Sequence, residues 1–139
     1  MTSEDSYQIG EVASRVGLSL RTVRYYEEVE LIEPSARTPG GFRLYTQDAI
    51  ARLDLVKQMK PLGFSLDEMR DLLEVRDQLQ SGEVTGEERA RAVGRLAMYA
   101  ATAAAQSERL REQLETAEAF VEGLRSETET YTTPSRRRR

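Results

Sequence analysis

The chain has 139 residues, with 20 Lys and Arg against 24 Asp and Glu, and therefore a formal net charge of −4 at pH 7. It contains neither cysteine nor histidine, which excludes disulfides, thiolate zinc sites, iron–sulfur clusters and histidine-dependent catalytic triads. Neither a phosphate-binding loop nor a catalytic constellation is recognisable, so we expect no enzyme activity, no cofactor and no metal. No apolar run approaches the length of a membrane span.

A flexible N-terminus at residues 1–7 is predicted to precede two short helices. The first has an apolar face at helical spacing, formed by Ile9, Val12, Ala13 and Val16. Gly17 can end this helix in the left-handed conformation, and Ser19 can cap the next one. The pair is predicted to form a helix-turn-helix.

The second helix carries side chains suited to contacting DNA. Arg21, Thr22 and Arg24 fall in its first turns, the part of a recognition helix that reaches base edges, and Ser19 and Tyr25 flank them. Residues 1–63 hold eight Lys or Arg against nine Asp or Glu. Binding therefore requires the arginines to face DNA while Glu27 and its acidic neighbours face elsewhere.

The segment 32–45 is predicted to form two short strands around a Gly-rich turn, as in the wing of a winged helix-turn-helix. Arg37 and Arg43 on its flanks can reach a phosphate or the minor groove, and the Tyr45 hydroxyl can contact a phosphate. The alternative is a surface hairpin with solvated arginines. A helix ending near Met59 and a second helix beginning at Leu66, after a capping box at residues 65–68, are predicted to follow.

Four motifs occur between Ile9 and Leu73 in a defined order. They are I-G-E-V-A at Ile9, R-T-V-R-Y-Y-E at Arg21, G-G-F-R-L-Y at Gly40 and L-G-F-S-L-D-E-M at Leu62. Each motif alone is weak evidence for a family, but the four motifs together, in order and at compatible spacing, are highly specific evidence. This half of the chain resembles the DNA-binding domain of the MerR family of bacterial transcription regulators.

The resemblance implies a mainly α fold, with a winged helix-turn-helix domain at residues 8–75 and a small β-hairpin wing. It also implies a second wing that touches the phosphate backbone, for which Lys60 is the candidate; a solvated lysine is the alternative. Phe42 stands where the family often has tyrosine, and we expect its ring to pack under the wing. The metal and redox sensors of the family depend on cysteine, so this chain lies outside those branches.

Beyond a linker at residues 76–88, the pattern predicts a coiled-coil dimerisation helix at 89–126, followed by a disordered basic tail at 127–139. The seam alternates in steps of three and four along Val93, Leu96, Ala100, Ala103, Ser107, Leu110, Leu114, Ala117, Val121 and Leu124. Because this stripe needs cover, we expect a homodimer, and the family implies antiparallel helices. The alternative is a helix that folds back on its own domain.

Two features after residue 97 leave alternatives open. Met98, Tyr99 and Phe120 are weak candidates for a small-molecule effector site at the dimer interface, with ordinary interface packing as the alternative. The tail ends in four arginines at 136–139, which either add salt-sensitive DNA affinity or form a solvated end.

The expected function follows from these elements. The chain is predicted to be a cytoplasmic, nucleoid-associated bacterial regulator that binds double-stranded DNA as a homodimer at a pseudo-palindromic operator. The family implies that it bends or untwists the promoter so that RNA polymerase can engage it. Two other classes remain: a DNA-architectural or excisionase-like protein that bends DNA, and a coiled-coil interaction protein without DNA activity.

Overall fold

The computed structural model of the chain describes residues 6–134. Strand β1 (Tyr7–Gln8) leads into helix α1 (Ile9–Val16), and helix α2 (Leu20–Glu28) follows after a tight turn. Gly17 ends α1 with a φ of 72°, a left-handed conformation that a Cβ disfavours. The Ser19 hydroxyl accepts a hydrogen bond of 3.0 Å from the backbone N–H of Thr22 and so caps α2. The predicted helix-turn-helix and both of its caps are confirmed.

Two further strands, β2 (Ala36–Arg37) and β3 (Arg43–Tyr45), form the predicted hairpin. The sheet has three antiparallel strands in the order β1-β3-β2. Strand β3 pairs with β2 along one edge and with β1 along the other, where Tyr7 lies opposite Tyr45. Tyr7 is buried. The prediction of flexibility through residue 7 is therefore wrong at Tyr7, which is held by backbone pairing and by burial of its ring.

Helices α3 (Gln47–Met59) and α4 (Leu66–Ser81) complete the domain, joined by a 3-10 turn at Lys60–Leu62. The predicted capping box at the start of α4 is present: Ser65 and Glu68 each accept the other's backbone N–H, at 3.1 and 2.8 Å. The largest fully buried side chains come from α1, α2, α3, α4, β3 and the segment after α2, and they are Tyr45, Leu31, Ile32, Leu53, Leu73, Val12, Val16, Val23 and Val56.

The predicted linker at 76–88 is too long. Helix α4 continues to Ser81 and ends at Gly82 with a φ of 71°, while helix α5 (Gly86–Thr132) begins four residues later. Val75 is buried, and the residues after it, which include Leu79, continue the helix to Ser81. Helix α5 also continues past residue 126, so the first part of the predicted disordered tail is helical. The arginines at 136–139 lie outside the described residues.

The chain divides into two compact units, Met1–Tyr99 and Ala100–Arg139. The first holds the sheet, α1 to α4 and the first turns of α5. The second, where described, is the remainder of α5, whose large apolar side chains are exposed. None of the helices within residues 6–134 is both long and apolar enough to cross a membrane.

Candidate nucleic-acid interface

Helix α2 presents an exposed surface formed by Arg21, Arg24 and Tyr25, which we call the recognition face. Among residues 6–134, no hydrogen bond or ion pair occupies the guanidinium group of either arginine. Thr22 is half-buried and its hydroxyl accepts a hydrogen bond of 2.9 Å from Ser19. The arginines are thus available for a partner outside the chain, whereas the hydroxyl groups of Ser19 and Thr22 are hydrogen-bonded to each other. Their contacts with DNA stay predictions.

The opposite side of α2 is fixed to the domain. Val23 and Tyr26 are buried, so the recognition face cannot rotate without exposing them. After the helix, Arg70 of α4 donates a hydrogen bond of 2.5 Å to the carbonyl of Val29. These contacts hold the chain where it leaves α2, which preorganises the recognition face.

Arg52 of α3 anchors the next part of the chain. It donates to the carbonyl of Leu31 at 3.3 Å and to both carboxylate oxygens of Asp77 in α4, at 2.8 and 2.9 Å. Two different nitrogens of one planar group are thus engaged, Nε by the Leu31 carbonyl and one terminal nitrogen by the Asp77 carboxylate, which fixes the plane of the guanidinium group. Helices α3 and α4 together therefore support the segment between α2 and the wing.

The wing, residues 36–45, holds its two predicted arginines differently. Arg37 is exposed and donates to the carbonyl of Gly41 at 3.3 Å. Arg43 is partly exposed, and its Nε lies 3.0 Å from a carboxylate oxygen of Glu27 in α2. Phe42 is 61 % exposed, so the expected packing of its ring under the wing is wrong; it lies in the turn between β2 and β3.

Tyr45 is not available as a phosphate contact. Its side chain is fully buried, and its hydroxyl donates to the other Glu27 carboxylate oxygen at 3.0 Å. Burial, followed by the hydrogen bond and the negative charge of Glu27, raises the pKa of Tyr45 to about 12. The prediction for Tyr45 is wrong because the sheet turns this residue toward the core and α2 supplies its partner.

Glu27 was expected from the sequence to face away from DNA, but its side chain lies between the helix of the recognition face and the wing. Its contacts with Arg43 and Tyr45 join α2 to β3, and its side chain is only 14 % exposed. Its position in the last turn of α2, one turn after the buried Val23, was a signal for a half-buried carboxylate that needs partners. Lys60, the remaining predicted contact, is exposed in the turn after α3.

Helix α5 begins against its own domain. Asp71 of α4 accepts hydrogen bonds from Arg95 and from the hydroxyl of Tyr99, the latter at 2.6 Å. The Tyr99 ring packs against Phe64, with ring centroids 5.8 Å apart. The hydrogen bond from Arg95 holds the pKa of Asp71 below its usual value, and the Asp71 carboxylate raises the pKa of Tyr99.

The candidate effector residues are therefore not equivalent. Tyr99 is buried within the first unit, so its assignment to a ligand site at a dimer interface is wrong: Asp71 of α4 and Phe64 supply its partners. Met98 is exposed in the first unit and Phe120 in the second. The role of these two side chains in an effector site stays a prediction.

Most residues of the predicted dimerisation seam are exposed on α5. In the first unit, Ala92 faces the domain while Val93 and Leu96 are exposed. In the second unit, Ala103 is half-buried; the exposed seam residues are Ala100, Ser107, Leu110, Leu114, Ala117, Val121 and Leu124. The alternative of a helix folded on its own domain holds for the first turns of α5, and dimerisation through the seam stays a prediction.

Comparison with known proteins places this architecture in a family. A family model described as MerR HTH family regulatory protein matches residues 7–75, and one described as MerR, DNA binding matches residues 50–126. The HTH-type transcriptional regulator ZntR of Escherichia coli K12 is 44 % identical over 70 residues, which cover 50 % of each chain. The chain thus spans about half the length of the curated relatives it matches.

Solved structures show the same fold. A crystal structure of a MerR family transcriptional regulator from Bacillus cereus is similar with a TM-score of 0.60 and 27 % identity, covering 96 % of this chain and 88 % of that one. A second structure is that of HiNmlR, a MerR family regulator lacking the sensor domain, bound to promoter DNA. It matches in fold with a TM-score of 0.66 and 20 % identity, covering 92 % of this chain and 87 % of that one. With a family model matched over more than half of its residues, the chain belongs to the MerR family of transcriptional regulators.

Proposed function

We propose that the chain binds a pseudo-palindromic promoter operator as a homodimer and bends or untwists it to control RNA polymerase. The observation that carries this proposal is the recognition face. Arg21 and Arg24 project from a helix whose other side is buried, and no partner within residues 6–134 occupies their guanidinium groups. Two unpaired arginines on a fixed helix favour binding to an anionic, hydrogen-bonding partner such as the major groove.

The seam of α5 supports the homodimer. Exposed Leu110, Leu114, Val121 and Leu124 repeat along one side of the helix in the second unit. An isolated helix of this kind leaves a long apolar stripe in contact with water, and a second copy of the same stripe would cover it. Each leucine contributes about 1.5–3 kcal/mol when fully buried. We propose that the paired helices run antiparallel, as the family resemblance implies.

Two-fold symmetry sets the form of the operator. A dimer with two recognition helices binds two half-sites in inverted orientation, about one or two helical turns apart. Basic side chains on the wing, together with Lys60, add backbone contacts on each side of the recognition helix. These contacts offset the cost of deforming the DNA, which is of the order of 1–6 kcal/mol for a smooth bend.

Control of transcription is supported by the family and by relatives named as transcriptional regulators. The test begins with selection of bound sites from random double-stranded DNA by the purified protein. A duplex carrying the enriched site between two promoter elements is then transcribed by purified bacterial RNA polymerase with and without the protein. We expect an enriched inverted repeat and a changed transcript level. DNA bending without any change of transcript would favour an architectural protein instead.

A further inference from the structure

Glu27 is a carboxylate on the helix that carries the recognition face. A negative charge near the phosphate backbone lowers DNA affinity unless neighbouring groups neutralise it. Its side chain is 14 % exposed, and burial of an ionised carboxylate is costly without hydrogen-bond partners. The position therefore needs a compensating role.

The two oxygens of Glu27 serve two residues of strand β3. One accepts the hydroxyl of buried Tyr45 at 3.0 Å, and the other lies 3.0 Å from Nε of Arg43. Arg43 and Tyr45 are two positions apart and so project from the same face of the strand. One carboxylate thus joins the last turn of α2 to the wing at two points.

The link also determines where Arg43 lies. Arg43 and Arg24 line the same groove beside Glu27, one from the wing and one from the recognition face. Held by its Nε, Arg43 keeps its guanidinium group partly exposed, with 43 % of its side chain accessible. Without the carboxylate, the long arginine side chain would sample many rotamers and the wing would lose its tie to α2.

We propose that Glu27 is a positioning residue for sequence-selective DNA binding, because it fixes the wing and Arg43 relative to the recognition face. The inference rests on the proposed function. If Glu27 has this positioning role, removing its carboxylate weakens binding to the selected DNA relative to other DNA. If only its charge matters, removing the carboxylate strengthens binding to every DNA. The two accounts therefore differ in the sign of the effect on the specific complex.

The test compares Glu27→Gln with Glu28→Gln. Glutamine at 27 keeps one oxygen acceptor for Tyr45 but loses the charge and the second oxygen that hold Arg43. Glu28 is exposed on the same helix, and its substitution removes the same charge without breaking this link. Tyr45→Phe, which keeps the buried ring and removes only the hydroxyl, is the second variant if Glu27→Gln does not fold.

Two measurements separate this inference from the proposed function. The first needs no DNA: solvent exchange of the Arg43 Nε–H, followed by NMR in the free protein, is expected to be slow in wild type and Glu28→Gln and fast in Glu27→Gln. The second is the affinity ratio between the duplex selected from random DNA and a shuffled duplex of the same composition. We expect Glu27→Gln to lower this ratio about tenfold, as for a lost specific contact, and Glu28→Gln to leave it unchanged.

The outcomes are distinct. If Glu27→Gln tightens binding to both duplexes with an unchanged ratio, like Glu28→Gln, or if the Arg43 proton exchanges equally fast in wild type, the positioning role is overturned. If wild type shows slow exchange at Arg43 but binds both duplexes equally, the wing link stands. In that case the proposed sequence-specific function fails, and the selectivity role of Glu27 fails with it.

Discussion

Tyr99 donates a hydrogen bond from its hydroxyl to a carboxylate oxygen of Asp71 at 2.6 Å, across 28 positions of sequence. The same carboxylate pairs with Arg95, and the Tyr99 ring packs on Phe64. The first turns of α5 are therefore fixed to α4 by the hydrogen bonds to Asp71. The aromatic contact with Phe64, just before α4, fixes them at a second point. The helix that carries the predicted dimer seam starts from a defined place on the DNA-binding domain.

Tyr99→Phe tests the strength of this attachment. The variant keeps the ring against Phe64 and removes only the hydroxyl, so Asp71 loses one donor. We expect the free energy of unfolding to fall by about 1.5–3 kcal/mol, the range for a hydrogen bond to a charged group. Urea denaturation measures it. Tyr131→Phe, at a position that is 84 % exposed, is the matched control and is expected to change nothing.

The raised pKa of Tyr45 gives a prediction at alkaline pH. A group whose pKa is higher in the folded state contributes stability that is fully present below its unfolded pKa and is lost as pH rises through the folded value. For Tyr45 that window runs from pH 10 to about 12. Tyr45→Phe should unfold with less dependence on pH in this window than wild type. Equal slopes for the two proteins in urea titrations at several pH values would contradict the Tyr45–Glu27 geometry.

Arginines of the recognition face are predicted to provide specific affinity. Arg21→Ala or Arg24→Ala should weaken binding to the selected duplex by about 1–3 kcal/mol, as expected for lost base contacts. Arg125→Ala, which removes an exposed arginine from the second unit, is the control for charge. Fluorescence anisotropy against selected and shuffled duplexes measures the effect. An equal loss on both duplexes would assign the side chain to a phosphate contact.

Leu114→Asp tests the seam of α5. A charge buried without a partner between two helices opposes association, so we expect monomers that bind the operator poorly. Thr116→Asp places the same charge about half a turn away, off the seam, and should leave the dimer intact. Sedimentation velocity distinguishes the two. A Leu114→Asp protein that sediments like wild-type dimer would show that α5 pairs through another surface.

Elements with a local signal were predictable from the sequence. Gly17, Ser19 and the pair Ser65 and Glu68 each act within a few residues of themselves, so their residue types alone indicate helix ends. Apolar spacing gave the buried faces of α1 and α3 for the same reason. The recognition face followed from these ends, because the position of the cap determines which residues fall in the first turns of α2.

The errors at three tyrosines occur where a partner lies far along the chain. Tyr45 meets Glu27 across 18 positions, and Tyr99 meets Asp71 across 28. Tyr7 pairs with Tyr45 through an added strand. In each case only the tertiary packing shows that the tyrosine ring is buried, and for Tyr45 and Tyr99 that the hydroxyl donates to a carboxylate. The position of Arg43 in the wing also depends on a distant partner, because Glu27 lies in α2.

A dimer that reads two half-sites is tested by its binding to the selected inverted repeat and to the same duplex with one half-site scrambled. Stoichiometry is determined by sedimentation in the same samples. We expect two chains per intact duplex and a loss of affinity of roughly a hundredfold or more when one half-site is scrambled, because every mismatched base pair costs about 1–3 kcal/mol. One chain per duplex, with equal affinity for both, would contradict it.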